Sequence, residues 1–118
     1  MLKLVEPSLD ISVNGISFRT DEQRDIVKHI PLEILQLETD ASWCEILSTD
    51  LSIEPYLVAA RPLPPSRKPN KFILRQMVKN RNESYPIERV GLVVGGLNGT
   101  TIDPIADAAW NNSGRTFR

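Results

Sequence analysis

Residues Leu9 to Thr20 read LDISVNGISFRT, and the fold class depends on how this stretch is understood. Two alternating runs, LDISV and ISFRT, flank Asn14-Gly15, the dipeptide that accepts positive φ at both central positions of a two-residue type I′ turn. The spacing predicts a β-hairpin with its turn at Asn14-Gly15. Val13 would then oppose Ile16 and Ile11 oppose Phe18 on a buried face, while Ser12 meets Ser17 and Asp10 meets Arg19 on the other.

Downstream, Thr20 with Gln23 forms a capping-box pattern, and Asp21 and Glu22 stand where a helix dipole favours acids. Ile26, Val27 and Ile30 give this helix an apolar stripe, and Pro31 predicts its end near His29. Between Pro31 and Ala60, Ile34, Leu35 and Leu37 suit a buried strand and a second helix equally. Ser42 and Glu45 could cap a helix, Trp43 to Leu47 also suits a strand, and Tyr56 to Ala60 resembles another.

Arg61 to Asn70, RPLPPSRKPN, holds four of the nine prolines and is expected to be an extended connector or projecting arm within one domain. Lys71 to Asn80 after Asn70 reads as a basic amphipathic helix with Lys71, Arg75 and Lys79 on one stripe; a strand with Phe72, Leu74 and Val78 on one face is the alternative. Arg89 to Val94 reads as a strand and Gly95 to Gly99 as a turn. Asp103 and Pro104 then open a C-terminal helix that Gly114 ends. Together these elements predict an α+β fold: a small single domain over residues 1–118 with an N-terminal β-hairpin, further antiparallel strands, two to four short helices and the proline-rich arm at 61–70.

A content of 41% hydrophobic and 25% charged residues with a net charge of -1 is that of an ordinary folded domain rather than a disordered chain. No apolar run is long enough to span a bilayer, and MLKLVEPSLD lacks the core of a secretion signal, so a cytoplasmic location is expected, or a virion for a phage component. The Asn-x-Ser/Thr triplets at Asn82, Asn98 and Asn111 then carry no glycan. One cysteine and one histidine preclude an internal disulfide and any Cys/His zinc spacing, so no metal and no cofactor are expected.

VGGLNGTT, Val94 to Thr101, departs from both the P-loop and the dinucleotide fingerprint and reads as a structural turn. Gly99 to Gly114, GTTIDPIADAAWNNSG, resembles the opening of a LysM-type module; the remainder of such a module has no counterpart here, so no glycan-binding residue follows. Cys44 between apolar neighbours reads as structural, and His29 as a helix-end residue. No catalytic residue is assigned and the protein is expected not to be an enzyme.

Charge is strongly segregated. Residues 1–55 hold 11 acids and 4 bases, residues 56–85 hold 7 bases and 1 acid, and residues 86–118 hold 3 of each. The basic set, Arg61, Arg67, Lys68, Lys71, Arg75, Lys79 and Arg81, is therefore the expected partner-binding surface. A protein partner or a second copy of the chain is favoured over nucleic acid, because stacking aromatics in this segment are limited to Phe72 and Tyr85. The function expected from sequence is thus a non-catalytic interaction or assembly protein, such as a structural subunit of a phage tail or comparable bacterial complex. The alternatives are a small nucleic-acid-binding regulator using 61–81, then a small enzyme or nucleotide-binding domain around 94–101.

Overall fold

A computed structural model describes residues 9–46, 50–84 and 86–117. The chain begins with β1 (Ile11–Val13), a 3-10 turn at Gly15–Phe18, α1 (Asp21–Lys28), a 3-10 turn at Leu32–Ile34 and β2 (Leu35–Leu37). β1 and β2 run parallel, with Ile11 opposite Leu35, Ser12 opposite Gln36 and Val13 opposite Leu37. Parallel neighbours need a crossover, and α1 supplies it. A 3-10 turn at Glu54–Leu57 follows. Next comes an excursion in which β3 (Ser66–Arg67) pairs in parallel with β4 (Met77–Val78), and then α2 (Ile87–Leu97) and α3 (Ile102–Thr116).

The expected hairpin is absent, and two side-chain arrangements explain why. Asn14 is extended (φ -136°) and caps the 3-10 turn: its side-chain oxygen accepts from the Ile16 amide at 3.0 Å, and its own amide donates to the Ser17 hydroxyl at 3.2 Å. Gly15 is needed for space, because a Cβ there would lie 1.9 Å from the Cys44 carbonyl oxygen. The chain therefore leaves β1 into a helical turn instead of folding back. Val13 and Phe18 are buried, whereas Ile11 is half-buried and Ile16 is 40% exposed.

α1 carries the reciprocal cap read from the sequence, with the Thr20 hydroxyl accepting from the Gln23 amide and the Gln23 side chain accepting from the Thr20 amide, each at 3.1 Å. α1 also ends at His29 as expected, and a C-terminal helix containing Asp103 and Pro104 is present, while several other expectations are corrected by the structure. Residues 34–37 pass from a 3-10 turn to a strand, Ser42 to Ile46 are irregular, and Glu54–Leu57 is a 3-10 turn. Leu47 and Tyr85 lie outside the described residues. Lys71 to Asn80 is turns with β4 near its end, and Arg89 to Val94 is helical. IERVGLVVGGL is apolar on nearly every side, which suits a helix buried between neighbours as well as it suits a strand. Gly95 and Gly96 belong to this helix; at Gly96 a Cβ would meet the Tyr56 ring at 2.1 Å, so its role is close packing. α3 starts after Thr101 and runs through Gly114.

The core gathers Val13, Phe18, Val27, Leu35, Ile53, Val90, Val93, Val94 and Ile105, so α2 and α3 pack directly on the strand–helix–strand unit. At the amino ends of the strands a polar network closes the structure. Asp10 accepts from Thr116 at 2.5 Å, Gln36 at 2.8 Å and Arg115 at 2.9 Å, while buried Asn112 donates to the Leu32 and Leu35 carbonyls at 2.7 and 2.8 Å.

Hydrogen bonds from Thr116 and Gln36, then the Arg115 charge, hold the Asp10 carboxyl below its ordinary range. A group depressed in the folded state adds stability that is complete above its unfolded value, about 4, and is lost as pH falls through the folded value. Melting curves recorded between about pH 6 and 3 are therefore expected to fall more for the wild type than for Asp10→Asn. Parallel curves for the two proteins would remove this role from Asp10.

Candidate functional site

In parallel α/β sheets, chemistry collects beyond the carboxyl ends of the strands. Here Asn14 follows β1, and Glu38, Thr39 and Asp40 follow β2. The Asn14 side-chain amide donates to Glu38 Oε1 at 3.0 Å and so links the two strand ends. Asp40 is exposed with φ 51°, a left-handed conformation that Asp tolerates better than most residues and that recurs at functional loops. Cys44 Sγ donates to Asp40 Oδ2 at 3.2 Å, and among the described residues nothing bonds Oδ1. Desolvation, then the hydrogen bond to Asp40, pushes the Cys44 thiol up, which makes it a neutral donor rather than a nucleophilic thiolate. A groove of about 370 Å³ runs beside these groups, lined by Val13, Asn14, Ser17, Ile30, Asp40 and Cys44 among others.

The loop that carries Asp40 is held from outside. Asn82 is 5% exposed, and its side-chain amide donates to the carbonyls of Thr39 and Trp43, each at 2.8 Å, on either side of Asp40. Its backbone amide donates to the Ser42 carbonyl at 3.2 Å. A single side chain thus ties both limbs of the loop and leaves the Asp40 carboxylate facing solvent. Glu38 and Asp40 could accept a proton from water, orient it, or offer hard oxygen donors to a cation. Among the described residues no group of three or more His, Cys, Asp and Glu side chains comes together.

The residues singled out from sequence fall elsewhere. His29 sits exposed at the end of α1, its Nδ1 against the Asp25 carbonyl at 2.7 Å, and it does not line the groove. Arg61 is engaged with Glu88, through its backbone amide at 3.1 Å and Nε at 2.7 Å. The other six bases lie exposed along the excursion. Asp40, Glu38 and Asn82 were missed. The available signal was the Glu-Thr-Asp run directly after the apolar Ile34 to Leu37 stretch, which marks a strand's carboxyl end once that stretch is taken as a parallel strand.

Parallel strands joined by a helix, with acids beyond their carboxyl ends, define an α/β layout. No family model matches the sequence. The chain is 36% identical to Deoxyribonuclease Tat-D of Saccharomyces cerevisiae and 32% identical to Deoxyribonuclease Tat-D of Schizosaccharomyces pombe, in each case over 96% of its own length. It spans only 30% and 36% of those proteins, about a third of each.

Among solved structures, an uncharacterized amidohydrolase from Saccharomyces cerevisiae superimposes with a TM-score of 0.83 and 37% identity, over 93% of this chain and 34% of that one. A hydrolase TatD family protein from Entamoeba histolytica gives 0.75 and 25%, over 88% and 33%. The fold thus matches part of a TatD-family hydrolase, a TIM-barrel-like architecture of parallel strands, in place of the α+β hairpin fold expected from sequence. The same relatives overturn the expectation of a non-catalytic assembly subunit and point to an enzyme, and they remove the ground for a phage component. Among the described residues no helix is long and apolar enough to cross a membrane.

Proposed function

We propose that this chain serves in the hydrolysis of DNA phosphodiester bonds, with Asp40 activating or orienting the attacking water and Glu38, held by Asn14, beside it. The observation that carries this is the exposed left-handed Asp40 at the carboxyl end of β2, in a chain similar over 96% of its length to two proteins named deoxyribonuclease. The test is release of acid-soluble nucleotides from linear DNA by the wild type and by Asp40→Asn. Release by the first and not by the second supports the proposal; a wild type without hydrolysis, or an equally active variant, overturns it.

Asn82 supplies a second check on the same centre. Removing its amide frees both limbs of the Asp40 loop, and a displacement near 1 Å at a reacting group costs about 10²-fold in rate. Asn82→Ala is therefore expected to lower kcat by about that factor with a far smaller change in KM. An effect confined to KM would mean that Asn82 does not act through Asp40.

A further inference from the structure

We infer that the excursion from Pro62 to Arg81 is an arm that grips single-stranded nucleic acid along its phosphate backbone, next to the Asp40 loop. The choice of ligand rests on the hydrolytic function proposed above. Four observations carry it.

The first is charge. Residues 56–85 hold 7 bases against 1 acid, in a protein whose net charge is -1. Arg67, Lys68, Lys71, Arg75, Lys79 and Arg81 are all exposed. Among the described residues none of these six pairs with a carboxylate, whereas Arg61, at the foot of the arm, is neutralised by Glu88. Among the described residues, the acids of the first half therefore do not pair with them.

The second is shape. Pro62, Pro64, Pro65 and Pro69 restrict φ, and the two legs are pinned together by β3 and β4, with the Met77 amide on the Pro65 carbonyl and the Lys79 amide on the Arg67 carbonyl, both at 2.9 Å. A stiff element loses little conformational entropy when it binds.

The third is position. Arg81 directly precedes Asn82, whose three bonds reach Thr39, Ser42 and Trp43 around Asp40, so the basic arm and the acid share one anchor. The fourth is the apolar surface available to bases. Trp43, three residues after Asp40, is 74% exposed, and Phe72 on the arm is 52% exposed beside a concavity lined by Pro69, Val78, Arg81 and the single acid Glu83. Basic groups that track phosphates and aromatics that stack on unpaired bases make up a single-strand binding surface. An acidic protein surface would use the charge and leave Trp43 and Phe72 without a role.

The experiment is fluorescence anisotropy with a labelled oligo-dT of about 20 nucleotides, longer than one such binding site. It is run over a salt series on the wild type, on Lys71→Gln/Arg75→Gln/Lys79→Gln, and on Phe72→Ala. All the substituted side chains are exposed, and thermal melting verifies that each variant is folded. Losing three phosphate contacts is expected to reduce the slope of log affinity against log salt by about 2. Phe72→Ala is expected to weaken binding by about 5- to 100-fold.

Absence of wild-type binding to the oligonucleotide, or a triple variant with unchanged affinity and slope, overturns the inference. So does a triple variant that loses binding to poly-glutamate but keeps its binding to DNA, which assigns the arm to an acidic protein. Binding that responds to the triple substitution while Asp40→Asn hydrolyses DNA normally refutes the role of Asp40 and leaves the arm standing. Hydrolysis lost in Asp40→Asn with binding untouched by the triple substitution refutes the arm alone.

Discussion

Asp40→Asn is expected to lower DNA hydrolysis by about 10²- to 10⁴-fold, the contribution of a positioned acid or base. The substitution keeps the shape of the side chain and an oxygen able to accept from Cys44 Sγ. Asn also tolerates the left-handed conformation held at φ 51°. What disappears is the capacity to take a proton or to present negative charge to water. Folding should be almost unaffected, since an exposed substitution of this kind changes stability by about 0.5 kcal/mol or less. Hydrolysis rates and urea denaturation midpoints measured on the same preparations check both halves. A collapsed midpoint would make Asp40 a structural residue, and an unchanged rate would remove it from the chemistry.

Phe18→Ala is expected to destabilise the protein by about 3–5 kcal/mol, a large share of the 5–15 kcal/mol typical of a folded domain. Phe18 is 0% exposed and packs in the cluster that joins β1, α1, β2, α2 and α3 through Val13, Val27, Leu35, Val93 and Ile105. The cavity left by its ring would lie inside that cluster. Urea denaturation of Phe18→Ala beside Phe18→Leu gives the value, with the leucine variant expected to lose less. An unchanged midpoint would place Phe18 outside the core.

Local rules worked where the interaction was local. The Thr20 to Gln23 cap and the stop before Pro31 depend on neighbours a few residues apart, and both are present in α1. The Asn14-Gly15 turn failed because its cause is remote: Gly15 is small to admit the Cys44 backbone, and Asn14 uses its amide on Glu38. No window of a dozen residues contains that information. The strand reading of Arg89 to Val94 failed for a related reason, since a helix buried on most sides loses the one-sided periodicity by which helices are recognised. The acids of the site went unread because a three-residue strand leaves little pattern, and strand direction is set by its partner.

The strand pair β1 and β2 separates two duties by distance. Asp10, Gln36, Arg115 and Thr116 knit the amino ends, while Asn14, Glu38 and Asp40 stand past the carboxyl ends, a strand's length of about 10 Å away. Improvement of one end need not be taken from the other, so the usual antagonism between robustness and turnover is relaxed here. The amino end is a mutational reserve, where gains in heat tolerance can accumulate while the far rim keeps the exposed, left-handed acid proposed to act on water.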